Sequence, residues 1–280
     1  MNRIAVIGAG TMGLGIAQIC GLAGFPTLLF DIADDALKSA ADQIEKNLAK
    51  GIEKGKLREE EKSAALEKIE FTSDLNAVKA DFIIEAIVEN LEVKQKLFHQ
   101  LERQNGAETI MASNTSSIPL TQIARGMKFP NRFIGMHFFN PAHIMKLVEV
   151  IRGASTDQET VNKTVSLSKG LGKTPVMAKD SPGFIVNRVA RHFYVESLKI
   201  LEEGVAPVED IDALIRSTGF KMGPFELMDL IGVDTNFSVT ESMFNSFYQD
   251  GKFRPSRIQK QKVDAGHHGR KSGKGFYDYS

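Results

Sequence analysis

A histidine and a glutamate lie on two short apolar segments that a proline-containing turn separates. His137 ends the run 132–137, and Glu149 lies within the run 146–151. Both runs are rich in β-forming residues and bounded by breakers, which predicts two buried strands. A carboxylate in an apolar strand needs a partner, because burying a lone charge is costly. A nearby imidazole would supply it, and a carboxylate-held histidine is a suitable general base. A core histidine with a surface glutamate explains this segment equally well.

The amino terminus has the pattern of a dinucleotide site. A strand over 3–7 leads into a G-x-G-x-x-G motif, a helix follows, and a second strand ends in Asp31. In this motif the glycines allow a tight turn, a close approach of the backbone to a pyrophosphate, and close packing of helix on strand. The helix amino terminus then faces the phosphates. The predicted cofactor-binding residues are Gly8, Ala9, Gly10, Thr11, Met12, Gly13 and Asp31.

Asp31 also indicates which dinucleotide is bound. Its carboxylate can accept hydrogen bonds from ribose hydroxyls and would repel a 2′-phosphate, and no Arg or Lys follows within residues 32–35. This favours NAD(H) over NADP(H). The alternative is a glycine-rich turn that binds no nucleotide.

Composition excludes several classes of partner. The 35 Lys and Arg residues balance the 35 Asp and Glu residues, so no basic field for nucleic acid exists. The single cysteine, Cys20, rules out an internal disulfide framework and suggests a reducing, cytoplasmic setting. No apolar run approaches the roughly 20 residues of a membrane span, and no signal or transit peptide is expected ahead of the first strand.

The order of apolar patterns predicts an α/β protein of two domains. Strands alternate with helices through residues 1–183, which predicts a largely parallel, helix-covered sheet of Rossmann type that binds NAD. The helix from Ala36 and the Lys/Glu-rich stretch after it are too long for a simple crossover and predict a protruding helical hairpin. Residues 184–280 have helical spacing and predict an all-α C-terminal domain for substrate binding and dimerisation. Its predicted helices lie at 185–203, 208–217, 224–231 and 234–248.

Several motifs, in this order and spacing, resemble the short-chain L-3-hydroxyacyl-CoA dehydrogenases, most closely the bacterial 3-hydroxybutyryl-CoA dehydrogenases. The resemblance covers almost the whole chain. Besides the glycine loop, the segments that carry it are 85–90 (EAIVEN), 112–117 (ASNTSS), 135–141 (GMHFFNP), 145–150 (MKLVEV), 182–188 (PGFIVNR), 222–227 (MGPFEL) and 269–277 (GRKSGKGFY).

The resemblance implies NAD-dependent interconversion of (S)-3-hydroxybutyryl-CoA, or another short 3-hydroxyacyl-CoA, and the 3-oxoacyl-CoA. His137 would be the general acid and base, oriented by Glu149. Ser116 would hydrogen-bond the 3-oxygen, and Asn187 the substrate carbonyls. Asn140 would help to place the nicotinamide and the substrate. Further NAD contacts are assigned to Glu89, Lys94, Ser116 and Lys271; charge alone would make the two lysines solvated surface residues.

The resemblance also gives the helical hairpin a role. In the family a helical pair clasps the CoA moiety, and Asn47, Lys50 and Lys54 fall at or near the matching positions, with Lys56 close by. By charge alone this is a solvated helix face with mixed signs.

Four histidines have no assigned role. His143, with Ile144, replaces the more usual Pro-Val, and His267 and His268 replace apolar residues; His192 follows the Asn187 segment. None has metal-ligand spacing, so no metal is predicted and all four are interpreted as packing or surface residues.

Three alternative functions remain. Ser116, His137 and Glu149 could form a hydrolase triad, but no G-x-S-x-G elbow is present. A β-hydroxyacid dehydrogenase acting on a free acid would use a lysine base and would not need the hairpin. A catalytically silent NAD-binding protein would not need the full set of site residues.

A surplus of apolar residues predicts assembly of the C-terminal domain. A domain of roughly 95 residues has limited core volume, and a large apolar surplus usually marks an interface. The resemblance implies a two-fold homodimer through this domain. The residues concerned are Phe220, Met222, Phe225, Leu227, Met228, Leu230, Ile231, Phe237, Met243, Phe244 and Phe247.

Overall fold

Eight short apolar runs form one sheet in the computed structural model, which describes residues 3–279. Each predicted strand of the first part of the chain is present. Their bounds are β1 (Ile4–Ile7), β2 (Thr27–Phe30), β3 (Ile69–Thr72), β4 (Phe82–Glu85), β5 (Ile110–Ser113), β6 (Phe133–Phe138), β7 (Leu147–Arg152) and β8 (Thr174–Lys179).

The strand order confirms the predicted Rossmann-type sheet. It is β3-β2-β1-β4-β5-β6-β7-β8. The first six strands are parallel, β7 is antiparallel to β6, and β8 is parallel to β7. The order reverses between β1 and β4, and in open α/β sheets a crevice for ligands lies outside the carboxyl ends of the strands at such a point. The glycine motif follows β1 directly and therefore lies at this crevice.

Six helices accompany the sheet. They are α1 (Thr11–Leu22), α2 (Asp34–Glu53), α3 (Glu59–Glu67), α4 (Leu91–Gln104), α5 (Leu120–Ile123) and α6 (Gln158–Gly170). The buried residues of α1 include Cys20, which is fully enclosed. Together with the inward side chains of β1, β2, β4 and β5 they form the main apolar core. This core fixes the strand ends that carry the candidate site.

The predicted helical hairpin consists of α2 and α3. Leu37, Ala40, Ile44 and Leu48 of α2 are buried, and their spacing of three or four residues gives the helix one apolar face. The second arm packs against α1, because a Cβ on Gly21 would lie 2.7 Å from the carbonyl oxygen of Ala65. The hairpin is thus anchored on the helix that follows the glycine motif.

The chain divides into two compact units, one ending at Ser181 and the other beginning at Pro182. The second unit is helical, and four of its helices correspond to predicted ones. Its helices are α7 (Val186–Glu202), α8 (Val208–Ser217), α9 (Pro224–Ile231), α10 (Val233–Ser246) and α11 (Arg257–Asp264).

Helix α11 was not predicted, because its sequence is almost wholly polar. It is held instead by polar contacts: the Ser256 side chain caps its amino terminus, and the fully buried Gln259 amide donates to Asn236 Oδ1 at 2.9 Å. The sequence Gly275-Phe276-Tyr277 also has a weak strand pattern, but no strand forms there; the isolated bridges nearby join Lys274 to Gly269 and to Asp278. Within residues 3–279 no helix is long and apolar enough to cross a membrane.

The contact between α1 and the turn after β1 leaves no room for a side chain at Gly13. A Cβ there would lie 1.7 Å from the Gly8 carbonyl oxygen. Gly13→Ala should therefore destabilise the first unit by about 3 kcal/mol or more, because backbone must move. Urea unfolding would measure this. The matched control is Gly106→Ala, where a Cβ meets no atom within 4 Å. Equal stability of the two variants would contradict the prediction.

Candidate active site

His137 and Glu149 face each other across the two antiparallel strands of the sheet. The register pairs them directly, and His137 Nδ1 lies 2.7 Å from Glu149 Oε2. Both are buried, with 5% of His137 and 1% of Glu149 exposed. The carboxylate in the apolar strand therefore has the imidazole partner that the cost of burial predicts.

The pair determines which nitrogen of His137 carries the proton. A carboxylate can only accept, so Nδ1–H donates to Glu149, and Nε2 of the neutral ring is left as a hydrogen-bond acceptor. Ser116 Oγ lies 3.2 Å from Nε2, and its hydroxyl donates to that nitrogen. Ser116, His137 and Glu149 thus form one hydrogen-bonded chain, with the proton-accepting nitrogen directed toward the serine.

Glu89 holds the turn that carries Ser116. Its Oε1 accepts from Thr115 Oγ1 at 2.6 Å, from Ser116 N at 2.9 Å and from Ser117 N at 3.2 Å. Burial tends to raise the pKa of Glu89, but the Lys94 charge and these hydrogen bonds outweigh it and lower the pKa. Glu89 is therefore an ionised anchor for the 115–117 turn. Asn114 directly precedes this turn, and its Oδ1 accepts a hydrogen bond from Phe138 N at 2.8 Å, which connects the turn to β6.

Lys94 lies between two carboxylates and is not the solvated charge that its sequence neighbours suggest. It is 1% exposed, and Nζ lies 2.5 Å from Glu85 Oε1 and 3.2 Å from Glu89 Oε2. Glu85 ends β4, is fully buried and also accepts from Ser113 Oγ at 2.6 Å. Burial raises the pKa of Glu85, and Lys94 opposes this. Glu85 was not among the predicted site residues, although it too is an acid in an apolar strand.

The glycine motif forms a cradle at the carboxyl end of β1. Gly8 has φ +102°, and a Cβ there would lie 2.7 Å from the Ala86 carbonyl oxygen. Around Gly10, by contrast, a Cβ would meet no atom within 4 Å, so a ligand can approach the backbone. Thr11 and Met12 begin α1, and its amino terminus has no side-chain cap. These features fit a dinucleotide pyrophosphate.

Asp31 lies next to this cradle, directly after β2. Its Oδ2 accepts from Ala9 N at 2.8 Å and its Oδ1 from Ala33 N at 3.0 Å. Its position fits a ribose hydroxyl, and it also supports the glycine turn.

The predicted CoA-binding residues come together around a cavity of about 370 Å³. Asn47, Lys50 and Lys54 line it from the hairpin, and His143 and Ile144 line it from the β6–β7 connection. His143 is thus a cavity residue, and burial, together with the charge of Lys173, lowers its pKa. Asn140, at the start of the same connection, is exposed.

Other predicted residues lie in the second unit. Asn187 is half-buried in the first turn of α7, and Lys271 forms an ion pair of 2.7 Å with Asp234. Their roles stay predictions. His192 is exposed and stacks on Phe253, while His267 and His268 are half-buried.

The burial of Lys94 leads to a stability prediction. Lys94→Met should destabilise the first unit by about 3–5 kcal/mol, because the fully buried Glu85 carboxylate loses its cation and Glu89 loses an ion pair. Adding Glu85→Gln should restore part of this loss, since a neutral amide replaces one of the charges. Urea unfolding is the measurement, and Lys96→Met, an exposed neighbour on α4, is the control. A Lys94→Met protein as stable as the control would contradict the buried pair.

The chain matches family profiles over nearly all of its length. Residues 3–181 match "3-hydroxyacyl-CoA dehydrogenase, NAD binding domain", and residues 183–279 match "3-hydroxyacyl-CoA dehydrogenase, C-terminal domain".

Individual relatives agree with these profiles. The 3-hydroxyadipyl-CoA dehydrogenase of Escherichia coli K12 is 48% identical over 100% of this chain, which spans 59% of that relative's length. A probable 3-hydroxybutyryl-CoA dehydrogenase of Bacillus subtilis is 43% identical, covering 100% of this chain and 98% of the relative. Among solved structures, (S)-3-hydroxybutyryl-CoA dehydrogenase from Ralstonia eutropha has a TM-score of 0.95 and 41% identity, covering 100% of this chain and 99% of its own. The chain therefore belongs to the 3-hydroxyacyl-CoA dehydrogenase family of NAD-dependent oxidoreductases.

Proposed function

We propose that the chain interconverts (S)-3-hydroxybutyryl-CoA and acetoacetyl-CoA, with short 3-hydroxyacyl-CoA thioesters as its substrate class. The observation that carries this proposal is the Ser116–His137–Glu149 chain at the same edge of the sheet as the glycine cradle. A base for a hydroxyl proton and a cradle for a dinucleotide are the two requirements for oxidising an alcohol.

His137 carries the proton in this mechanism. NAD⁺, held by the glycine cradle and Asp31, would accept a hydride from C3 of the substrate. Nε2 takes the proton of the 3-hydroxyl, and the Glu149 carboxylate stabilises the imidazolium that forms. In the reductive direction the same nitrogen returns the proton to the 3-oxygen. The Ser116 hydroxyl, already directed at Nε2, hydrogen-bonds the 3-oxygen and orients it toward the base.

The surroundings of Ser116 argue against a hydrolase. A serine nucleophile needs backbone N–H groups directed at a developing oxyanion. Here the N–H groups of Ser116 and Ser117 donate to the Glu89 carboxylate, which places a negative charge where an oxyanion would have to form. The lysine base of a β-hydroxyacid dehydrogenase is not matched by Lys94 either, since its ammonium is engaged by two carboxylates.

The base assignment is tested by His137→Gln. Turnover of acetoacetyl-CoA with NADH should fall by about 10²–10⁴, the range typical of lost acid–base catalysis. The dissociation constant of NADH should change little, because His137 is not part of the cradle. His192→Gln, at an exposed histidine, serves as control. Turnover near that of the unaltered protein would show that another group carries the proton.

The E. coli relative favours a second candidate substrate. It is more similar to this chain than the B. subtilis protein is, and its name specifies 3-hydroxyadipyl-CoA. That acyl chain ends in a free carboxylate and needs a cation or a hydrogen-bond donor near its far end. The ratio of kcat/KM for 3-hydroxybutyryl-CoA and 3-hydroxyadipyl-CoA decides between the two.

The cavity beside the hairpin is proposed to bind the nucleotide part of CoA. Lys50, Lys54 and Lys56 give it three ammonium groups, which suits phosphates, and Leu22 and Leu57 add apolar surface for a base or a pantetheine arm. Among residues 3–279 none of the three lysines forms an ion pair with a carboxylate, so their charge is available to a ligand.

Lys54→Glu tests this proposal. The KM for acetoacetyl-CoA should rise about tenfold, a loss of about 1.4 kcal/mol, because repulsion replaces attraction near a phosphate. The KM for a truncated acetoacetyl thioester without the nucleotide should not change. Lys46→Glu is the matched control, since Lys46 is exposed on α2, the helix that ends just before Lys54, but does not line the cavity. Equal effects on both thioesters would remove the hairpin from CoA binding.

We also propose a homodimer formed through the second unit. Part of the apolar surplus of its sequence forms the unit's own core, since Phe225, Met228 and Met243 are fully buried. Other apolar side chains stay exposed: Phe220 by 56%, Leu230 by 51%, along with Val189, Val205, Leu214 and Ile231. Apolar surface of this kind suits a two-fold interface.

Light scattering should give about twice the chain mass of 30.8 kDa. Phe220→Glu combined with Leu230→Lys should shift the protein toward the monomer, because charges would have to be buried in the interface. Phe71→Glu, at an exposed position of the first unit, should leave the dimer intact. A monomer in the unaltered protein would contradict the proposal.

We propose a cytoplasmic location as well. The one cysteine is buried and unpaired, which agrees with a reducing compartment.

A further inference from the structure

Lys173 is a buried lysine that the mechanism above does not use. It directly precedes β8 and is 8% exposed. Its Nζ donates to the carbonyl oxygens of Ala142 at 2.5 Å and of Met145 at 2.8 Å. Within residues 3–279 no carboxylate lies at ion-pairing distance from it, and burial lowers the pKa of its ammonium group. Burying a cation without a counter-charge is costly, so a lysine that is held only by two carbonyl groups needs an explanation.

Both carbonyls belong to a single turn in the connection between β6 and β7. In this turn, residues 141–145, the N–H groups of Ile144 and Met145 donate to the Pro141 carbonyl oxygen at 3.0 and 2.9 Å. The Lys173 side chain therefore binds the backbone of the turn, independently of the turn's side chains. Its partners lie 28 and 31 residues away in the sequence.

The 141–145 turn also contacts α1. Ala142 is 1% exposed, and a Cβ on Gly15 would lie 3.1 Å from the Ala142 Cβ. The turn is therefore held by its contact with α1 and by the hydrogen bonds from the Lys173 ammonium.

The tip of this turn forms one wall of the cavity beside the hairpin. His143 and Ile144 line it together with the three hairpin lysines. The lowered pKa of His143 leaves its imidazole neutral at neutral pH. One wall is thus cationic and the other is neutral and partly apolar, an arrangement that fits a phosphorylated group attached to an apolar one.

We infer that Lys173 is a positioning residue for substrate binding: it holds the 141–145 turn so that His143 and Ile144 line the cavity together with the hairpin lysines. This inference rests on the proposed function, because it takes the nucleotide end of CoA as the ligand. Lys173 itself does not contact the ligand. It acts on affinity through the backbone of the turn and leaves the Ser116–His137–Glu149 chain unchanged.

The test compares binding and turnover in Lys173→Met. The dissociation constant of free CoA and the KM of acetoacetyl-CoA should each rise about tenfold, as expected when a wall of a site is displaced. The kcat, the KM of the truncated thioester and the dissociation constant of NADH should stay within about twofold of the unaltered protein. Lys173→Gln keeps an N–H donor and should be intermediate. Lys179→Met, at an exposed lysine that ends the same strand, should behave like the unaltered protein.

A double-mutant cycle covers the possibility that Lys173→Met does not fold. Ile144→Ala alters the wall directly, so combining it with Lys173→Gln should give less than the sum of the two effects on CoA affinity. Additive effects, equal changes with both thioesters, or unchanged CoA affinity in a folded Lys173 variant would overturn the inference.

Failure of the proposed function can be recognised separately. Binding of free CoA is measured without turnover, so an unaltered protein that binds CoA but does not reduce acetoacetyl-CoA contradicts the proposed reaction. Comparing the CoA affinity of the unaltered protein and the Lys173 variants then still decides whether Lys173 positions the turn that forms the cavity wall.

Discussion

The pairing of His137 with Glu149 across β6 and β7 is the interaction on which the chemistry of the first unit depends. A carboxylate that is 1% exposed must have a donor, and the direct cross-strand position brings the imidazole to 2.7 Å. In this fold the pairing occurs where the chain reverses direction, between the antiparallel strands β6 and β7 of a mainly parallel sheet. The reversal in turn produces the short connection that carries Asn140 and the 141–145 turn. The proton-accepting nitrogen and the cavity wall are thus consequences of one strand pairing.

A second constraint is electrostatic. Three carboxylates lie in one region of the sheet edge, and each is stabilised differently: Glu85 and Glu149 are buried, whereas 38% of the Glu89 side chain is exposed. Glu149 uses an imidazole, Glu89 uses backbone N–H groups of the serine turn, and Glu85 uses a hydroxyl. Lys94 is the ammonium shared by Glu85 and Glu89. Glu89 holds the 115–117 turn through hydrogen bonds. The position of Ser116 therefore depends on the ion pairs of Lys94 with Glu85 and Glu89 as well as on packing.

The sequence predicted most of the fold because apolar periodicity follows burial. Every strand and the helical hairpin could be predicted this way, as could the partner of Glu149, from the cost of burying a charge. Helix α11 could not be predicted from apolar periodicity, because polar contacts hold it in place. The burial of Lys94 depends on partners at two other positions, which local charge patterns do not reveal. Lys173 leaves no side-chain pattern at all, since its partners are backbone carbonyls. Glu85 is also an acid in an apolar strand, so the cost of burying a charge would have predicted that it has polar partners such as Lys94 and Ser113.

The enclosure of Cys20 determines how the protein reacts with thiol reagents. The side chain has no exposed surface, and burial raises its pKa to about 12, so the reactive thiolate is essentially absent at neutral pH. Thiol-directed alkylating agents and disulfide reagents therefore have no accessible thiol in the folded chain, which contains no other cysteine. The native protein already has the properties of a cysteine-free background. A single cysteine introduced at the rim of the hairpin cavity would take up a fluorophore or spin label at that position alone.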